Sequence, residues 1–275
     1  MTRARHLRRR CAIVGLALLG ACTVSEDQEK EMGADYARQI NAQLPLVQDP
    51  AVTGYVEALG REIARTSPRE GLEWHFYVVD APEVNAFAVP GGYVYVNRGL
   101  IERMDRMDEL AGVLAHEVGH VSLRHSAKQM EKQGKANVGI TVFCTLTNLC
   151  SGDVARVAIN VAGSAWFAKH SREDEAQADS IAVFSLPQAG IDPEGIPAMF
   201  DKLLAERQAD PGVLQGWFGT HPLEEDRIAR TRELIASLPP APAPLARNDR
   251  EFAAVRDRLR ALPPSPAPRE LPPPQ

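Results

Sequence analysis

Apolar residues recur at helical spacing through Glu26–Leu44 and again through Ala51–Arg65, and Pro45 and Pro50 between them forbid one continuous helix. The pattern then changes. Trp74–Val79 alternates and is rich in aromatic and β-branched residues, which predicts a strand; Gly91-Gly92 punctuates the approach to a second strand, Tyr93–Asn97. From about Asp108 to Lys132 the spacing is helical again and largely apolar, predicting a helix directly after the strands. Val154–Lys169 is an apolar run interrupted by Arg156 and Asn160, which reads as a buried core helix and not as a membrane span. A further helix opens at Ser171 and reaches about Pro187, and Pro193–Gln208 and Glu224–Leu238 follow, each beginning with proline or acids. The expected class is α+β, mostly helical, with a small sheet beside the 108–132 helix. Beyond Leu238, the run Pro239-Pro240-Ala241-Pro242-Ala243-Pro244 predicts a stiff linker, Asp249–Leu262 one more amphipathic helix, and Pro263–Gln275 a proline-rich disordered tail.

The 108–132 helix carries the string HEVGH, in which His116 and His120 stand four apart and so share one face, a turn from each other. Two imidazole nitrogens can grip one metal ion there. Glu117 sits beside that ion without ligating it, where a carboxylate can take a proton from water, as in a zinc hydrolase. A third ligand is expected downstream in Ser171–Asp179, where Glu175 and Asp179 again share a helical face. Glu175 completes a two-His, one-Glu site with one zinc per chain and an open fourth position, and Asp179 accepts the free ring N–H of a ligand histidine. Read without the HEVGH helix, the same segment is an ordinary acidic helix start.

HEVGH followed by SREDEAQAD resembles the zinc metallopeptidase family of the heat-shock protease HtpX, the CAAX prenyl proteases and the periplasmic beta-barrel assembly-enhancing protease. Three more segments match in order: Val84–Gly92, Tyr93–Leu100, and Thr220-His221-Pro222 with Arg227 five residues after the proline. The resemblance covers about Glu29–Leu238 and implies a gluzincin-type domain, over residues 22–238, with Glu175 as the metal ligand. Where the family often has a second Glu, this chain has Gln177. The resemblance also implies that a strand lining the cleft pairs antiparallel with extended substrate, which assigns Tyr93, Val94, Tyr95 and Val96 to substrate binding. The other reading of that strand is a core strand, Val94 and Val96 inward and Tyr93 and Tyr95 outward. For His221 and Arg227 three roles stay open: stabilising the oxyanion of a tetrahedral intermediate, a His-Pro latch on the open zinc position, or plain structure, with Arg227 pairing Glu224 or Asp226. His125, five residues past His120, is expected to point away from the ligand face and to be structural, and His75 and His170 have no assigned role.

Composition places this unit in a compartment. The first ten residues carry five Arg and no acid, and Cys11–Ala21 is apolar but short for a permanent span, so residues 1–21 read as a signal peptide. Leu19-Gly20-Ala21-Cys22 resembles the bacterial lipobox, which makes Cys22 a lipidation site and tethers the chain to a membrane. Thr23 after Cys22 resembles lipoproteins sent to the outer membrane, so the expected location is its periplasmic side. Without residues 1–21 the chain has 26 basic residues against 36 acidic ones, a formal charge of about −10, which excludes nucleic acid as a partner. Cys144 and Cys150 then remain, and a loop-closing disulfide or two buried thiols both fit them. No period of 20–50 residues is visible, so tandem helical repeats are not expected. The expected function is zinc-dependent endoproteolysis of misfolded or misassembled envelope proteins, with the outer-membrane assembly machinery as a possible partner. The alternative is an envelope chaperone or assembly factor whose proteolysis is minor or latched.

Overall fold

The computed structural model describes residues 23–132, 170–209, 221–222 and 225–266. The expected signal peptide, Cys22, the Cys144–Cys150 pair and the 154–169 run lie outside the described residues. Two helices open the fold: α1 (Glu26–Gln43), started by a Ser25/Gln28 capping box, and α2 (Pro50–Ala64), started by the Asp49 carboxylate with Pro50 in the first turn. Three strands follow, β1 (His75–Val79), β2 (Ala86–Val89) and β3 (Tyr93–Asn97), then a short helix α3 (Arg98–Arg103) and the helix α4 (Met107–Ser122) that bears HEVGH. After the undescribed stretch come α5 (Arg172–Gln188), α6 (Gly195–Ala209), α7 (Glu225–Ala236) and α8 (Arg250–Ala261). Among these residues no helix is long and apolar enough to cross a membrane.

The sheet order is β1-β3-β2, with β1 parallel and β2 antiparallel to β3. This corrects the assignment of Tyr93, Val94, Tyr95 and Val96 to substrate pairing. β3 is the central strand, its backbone groups are shared between two neighbours, and no edge remains for a third. Its tyrosines also differ from a simple outward pair: Tyr95 is fully buried, packed with Val79 and Val89 and with Tyr36 and Ile40 of α1, so that α1 covers one face of the sheet. Val94 and Val96 face the main core on the other side, as expected. Gly91 and Gly92 make the β2–β3 connection, both at positive φ, and a Cβ on Gly92 would stand 2.2 Å from the Glu73 carbonyl oxygen.

α4 is buried along its whole length, which is what an all-round apolar helix demands. α2, α5, α6 and strands β2 and β3 pack around it. Leu110, Val113, Leu114 and Val118 are each fully buried, worth about 1.5–3 kcal/mol apiece on the transfer scale. Its acidic first turn is not left unpaired: Asp108 bonds to Arg106, and Glu109 to Lys202. α4 and α5 approach so closely that a Cβ on Gly119 would lie 2.9 Å from the Ala178 carbonyl oxygen, a backbone atom that cannot turn away. Gly119→Ala is therefore expected to destabilise the domain by about 1–3 kcal/mol and to push the two helices apart, which denaturant unfolding would measure.

Two boundaries differ from the sequence reading. The 108–132 helix is broken: α4 ends at Ser122, and Arg124 adopts a left-handed conformation at φ 58° before residues 125–132 resume a helix. A non-glycine residue rarely takes that conformation, and here Glu29, itself buried, secures the Arg124 guanidinium at 2.6 Å. The domain also extends past Leu238. α8 belongs to the main core through Phe252, Val255 and Leu259, and Arg98 bonds to the Leu262 and Pro263 carbonyls beyond it. The proline linker thus connects to an integral helix instead of releasing a tail at 239.

Candidate metal centre

Helix α4 and helix α5 bring the expected ligands to one buried point. Ser171 caps α5 with Asp174 in a reciprocal box, and this start sets the phase that points Glu175 and Asp179 at α4. His116 Nε2 lies 2.9 Å from His120 Nε2 and 3.4 Å from Glu175 Oε2, and His120 Nε2 lies 3.3 Å from Glu175 Oε1. Two ligands of one tetrahedral zinc, each about 2.0–2.1 Å from it, stand roughly 3.3 Å apart. The spacing of the three donors fits that ion.

Hydrogen bonding fits it as well. Asp179 Oδ1 accepts from His116 Nδ1 at 3.0 Å, which turns the Nε2 lone pair toward the shared point. Arg227 holds Asp179 with two contacts, Nε to Oδ2 at 2.6 Å and Nη2 to Oδ1 at 2.8 Å, and reaches Glu175 Oε2 with Nη1 at 2.6 Å. The guanidinium lies 4.5 Å over the Phe200 ring and is almost fully buried. Among the described residues its partners are thus the α5 carboxylates and not Asp226, while Glu224 lies outside the described residues. Burial pushes the Asp179 carboxyl up, but Arg227 outweighs burial and holds it below its ordinary range. Burial acts the same way on Glu175, and the surrounding histidines, His221 first, keep it well below. Burial and Arg227 push the His116 ring down, yet its bonds to Asp179 and Glu175 prevail and lift it to about 9. The centre therefore attracts positive charge, a demand that a divalent cation satisfies while every donor keeps its lone pair.

Glu117 is buried, and its Oε1 has no hydrogen-bond partner among the described residues. Burial pushes its carboxyl up against the pull of His221 and His116, which moves it toward the range a general base needs. His221 joins the same group: its Nδ1 is 3.2 Å from His116 Nε2 and 3.1 Å from Glu175 Oε1, and its Nε2 is 3.5 Å from Glu117 Oε1. One donor atom from each of His116, His120, Glu175 and His221 lies within 4.8 Å of every other. The position expected to be open is thus faced by a fourth imidazole.

This arrangement of two helices and the matching sequence decide the family. A model of peptidase family M48 matches residues 50–235. The chain belongs to peptidase family M48. The M48 domain here is 33% identical over 230 residues to the beta-barrel assembly-enhancing protease of Yersinia pestis, covering 80% of this chain and 46% of that protein. It is also similar to the metalloprotease YcaL of Escherichia coli strain K12, at 33% identity over 188 residues, 66% of this chain and 67% of that one. The mitochondrial metalloendopeptidase OMA1 of Schizosaccharomyces pombe is 30% identical over 216 residues, 77% of this chain and 62% of its own. The chain spans about half the length of the beta-barrel assembly-enhancing proteases it matches.

Two histidines of the M48 domain's centre escaped sequence reasoning. His125, expected to point away, has its Nδ1 2.9 Å from His120 Nδ1, beyond the turn at Arg124 that breaks the helix. His170 lies over His120 with ring centroids 3.9 Å apart. Its position immediately before the Ser171 helix cap was the available signal, since a residue there is carried to wherever α5 begins.

Proposed function

We propose that this chain is a zinc-dependent metalloendopeptidase of the bacterial cell envelope that cleaves misfolded or misassembled envelope proteins. The observation that carries it is the buried Glu117 carboxylate, whose Oε1 accepts no hydrogen bond among the described residues, beside a two-His, one-Glu donor set. Zinc held by His116, His120 and Glu175 supplies Lewis acidity, polarising a peptide carbonyl and making water more acidic. Glu117 takes the proton from the attacking water and then delivers it to the leaving amine. Asp179 and Arg227 keep His116 and Glu175 oriented through both steps.

Extended polypeptide binds along β2, the sheet edge that packs on α4. The Asn97 N–H donates to the Asn85 carbonyl at 2.9 Å, which sets the ladder so that residues 85, 87 and 89 face β3. Ala86 and Ala88 turn their backbone groups the other way, where an added strand can bond to them with little regard for side chains. Such binding suits unfolded clients of many sequences. Acylation at Cys22 places the enzyme on the periplasmic side of the outer membrane, and the names of its relatives support a link to outer-membrane protein assembly.

The fourth imidazole favours a latched resting state over a permanently open one. His221 facing His116 and Glu175 blocks the position that water and substrate need. His221→Ala is expected to raise hydrolysis of unfolded casein roughly 10-fold, the gain when an accessible state of about 10% becomes the only one. A fall in rate would assign His221 to oxyanion stabilisation instead.

A further inference from the structure

Three side chains, Glu173, Gln177 and His125, lead from the start of α5 to the far side of His120, and each fixes the next. The Glu173 carboxylate only accepts, so the amide 3.2 Å away must turn Gln177 Nε2 toward it. That leaves Gln177 Oε1 facing His125 Nε2 at 3.1 Å. Asp174 Oδ1, the next nearest acceptor, stands 3.7 Å from the same nitrogen, too far to bond but of the same sign. Both neighbours require the His125 proton on Nε2, which leaves Nδ1 of the neutral ring bare. His120 Nδ1 is 2.9 Å from that bare nitrogen, and only one proton fits between them. It belongs to His120, whose Nε2 is then free of hydrogen and turned to the metal centre.

We propose that Gln177 and His125 are positioning residues that lock His120 in its Nδ1–H tautomer and so preset it as a metal ligand. The inference rests on the metallopeptidase reading and extends it to the second histidine. His116 gets its tautomer from a charged acceptor, Asp179, whereas His120 gets it from a neutral imidazole and a neutral amide. The turn at Arg124 is where the α4 helix stops, just before His125, whose Nδ1 faces His120 Nδ1. Gln177 at this position also keeps the relay uncharged, so the centre holds one fewer carboxylate than a Glu there would give it.

The test uses the zinc-loaded full chain, with zinc affinity read by chelator competition and histidine tautomers by long-range proton–nitrogen spectra. His120 should show a protonated Nδ1 and His125 a protonated Nε2. His125→Phe, which removes the acceptor, should weaken zinc binding by about 10–100-fold; Gln177→Leu should weaken it less, and Gln177→Glu, which still accepts, should restore the His125 tautomer. A purely packing role for His125 would lower the melting temperature without moving the His120 tautomer. Zinc affinity of His125→Phe within twofold of wild type, or a proton on His120 Nε2, would overturn the relay alone. Failure of the wild-type chain to bind zinc would overturn the metallopeptidase reading instead, so the two failures separate.

Discussion

Replacing Glu117 with Gln is expected to lower the rate of peptide hydrolysis by about 10²–10⁴-fold, the usual contribution of a positioned general acid-base, while zinc content stays near one per chain. The amide has the carboxylate's shape, so the helix and its packing are kept. It cannot accept the proton of the attacking water or return it to the leaving amine. Glu117 suits this test because it has little structural part to play: among the described residues its Oε1 has no hydrogen-bond partner, and the donor set that could hold an ion is supplied by other residues. Burial pushes its carboxyl up, which narrows the gap between its affinity for a proton and the operating pH and so favours transfer in both directions. Casein digestion by the purified chain and its variant reads the loss. The same variant separates proteolysis from chaperoning. If a denatured client is still protected by Glu117→Gln, holding clients is a function of its own; if nothing remains, cleavage is the function.

Arg227→Ala should be the most damaging single substitution for stability, at about 3–5 kcal/mol. The guanidinium is almost fully buried, bonds to the Asp179 carboxylate and forms an ion pair with that of Glu175, both buried on α5. Removing it leaves Asp179 without its main compensating charge in a buried place, so that burial acts on that carboxylate largely unopposed, and it takes away the cation paired with Glu175, which the histidines alone then hold down. A domain of this size is stable by about 5–15 kcal/mol, so the loss is a large share of the whole. Arg232 offers the internal control. It pairs with Asp201 at the surface, where both side chains are about half exposed, and Arg232→Ala should cost no more than about 1 kcal/mol. Denaturant midpoints of the two variants, compared with the unmodified chain, measure the contrast; equal midpoints would remove Arg227 from its bridging role.

The helices that bear the chemistry were legible because helical periodicity is a local property. His116 and His120 at a four-residue step, and Glu175 and Asp179 at another, must share faces wherever their helices lie. Ser171 announced the start of α5, and the structure brings His116, His120 and Glu175 together, with Asp179 bonded to His116. What was not legible depends on contacts between distant parts. The order β1-β3-β2 follows from packing on α4 and α1, so a reading of Tyr93–Asn97 by itself could not place it in the centre of the sheet. β2 is four residues long, and Ala86-Phe87-Ala88-Val89 has too little alternation to stand out from the loop before it. The break after α4 occurs at an arginine, not at a glycine, because a buried Glu29 from α1 compensates for the conformation. α8 has the amphipathic pattern of a docked helix, but the prolines before it suggested detachment; Tyr55 bonding to Asp249 and Arg258 pairing with Asp49 show why it returns to α2.

The proposed metal site depends most on Glu175, which completes it from a second helix. Zinc stoichiometry, measured by elemental analysis on the purified full chain beside its Glu175→Ala variant, tests this directly. One zinc per chain in the former and far less in the latter is the predicted result. A variant that keeps its full complement of zinc, or an unmodified chain that carries none, would contradict it.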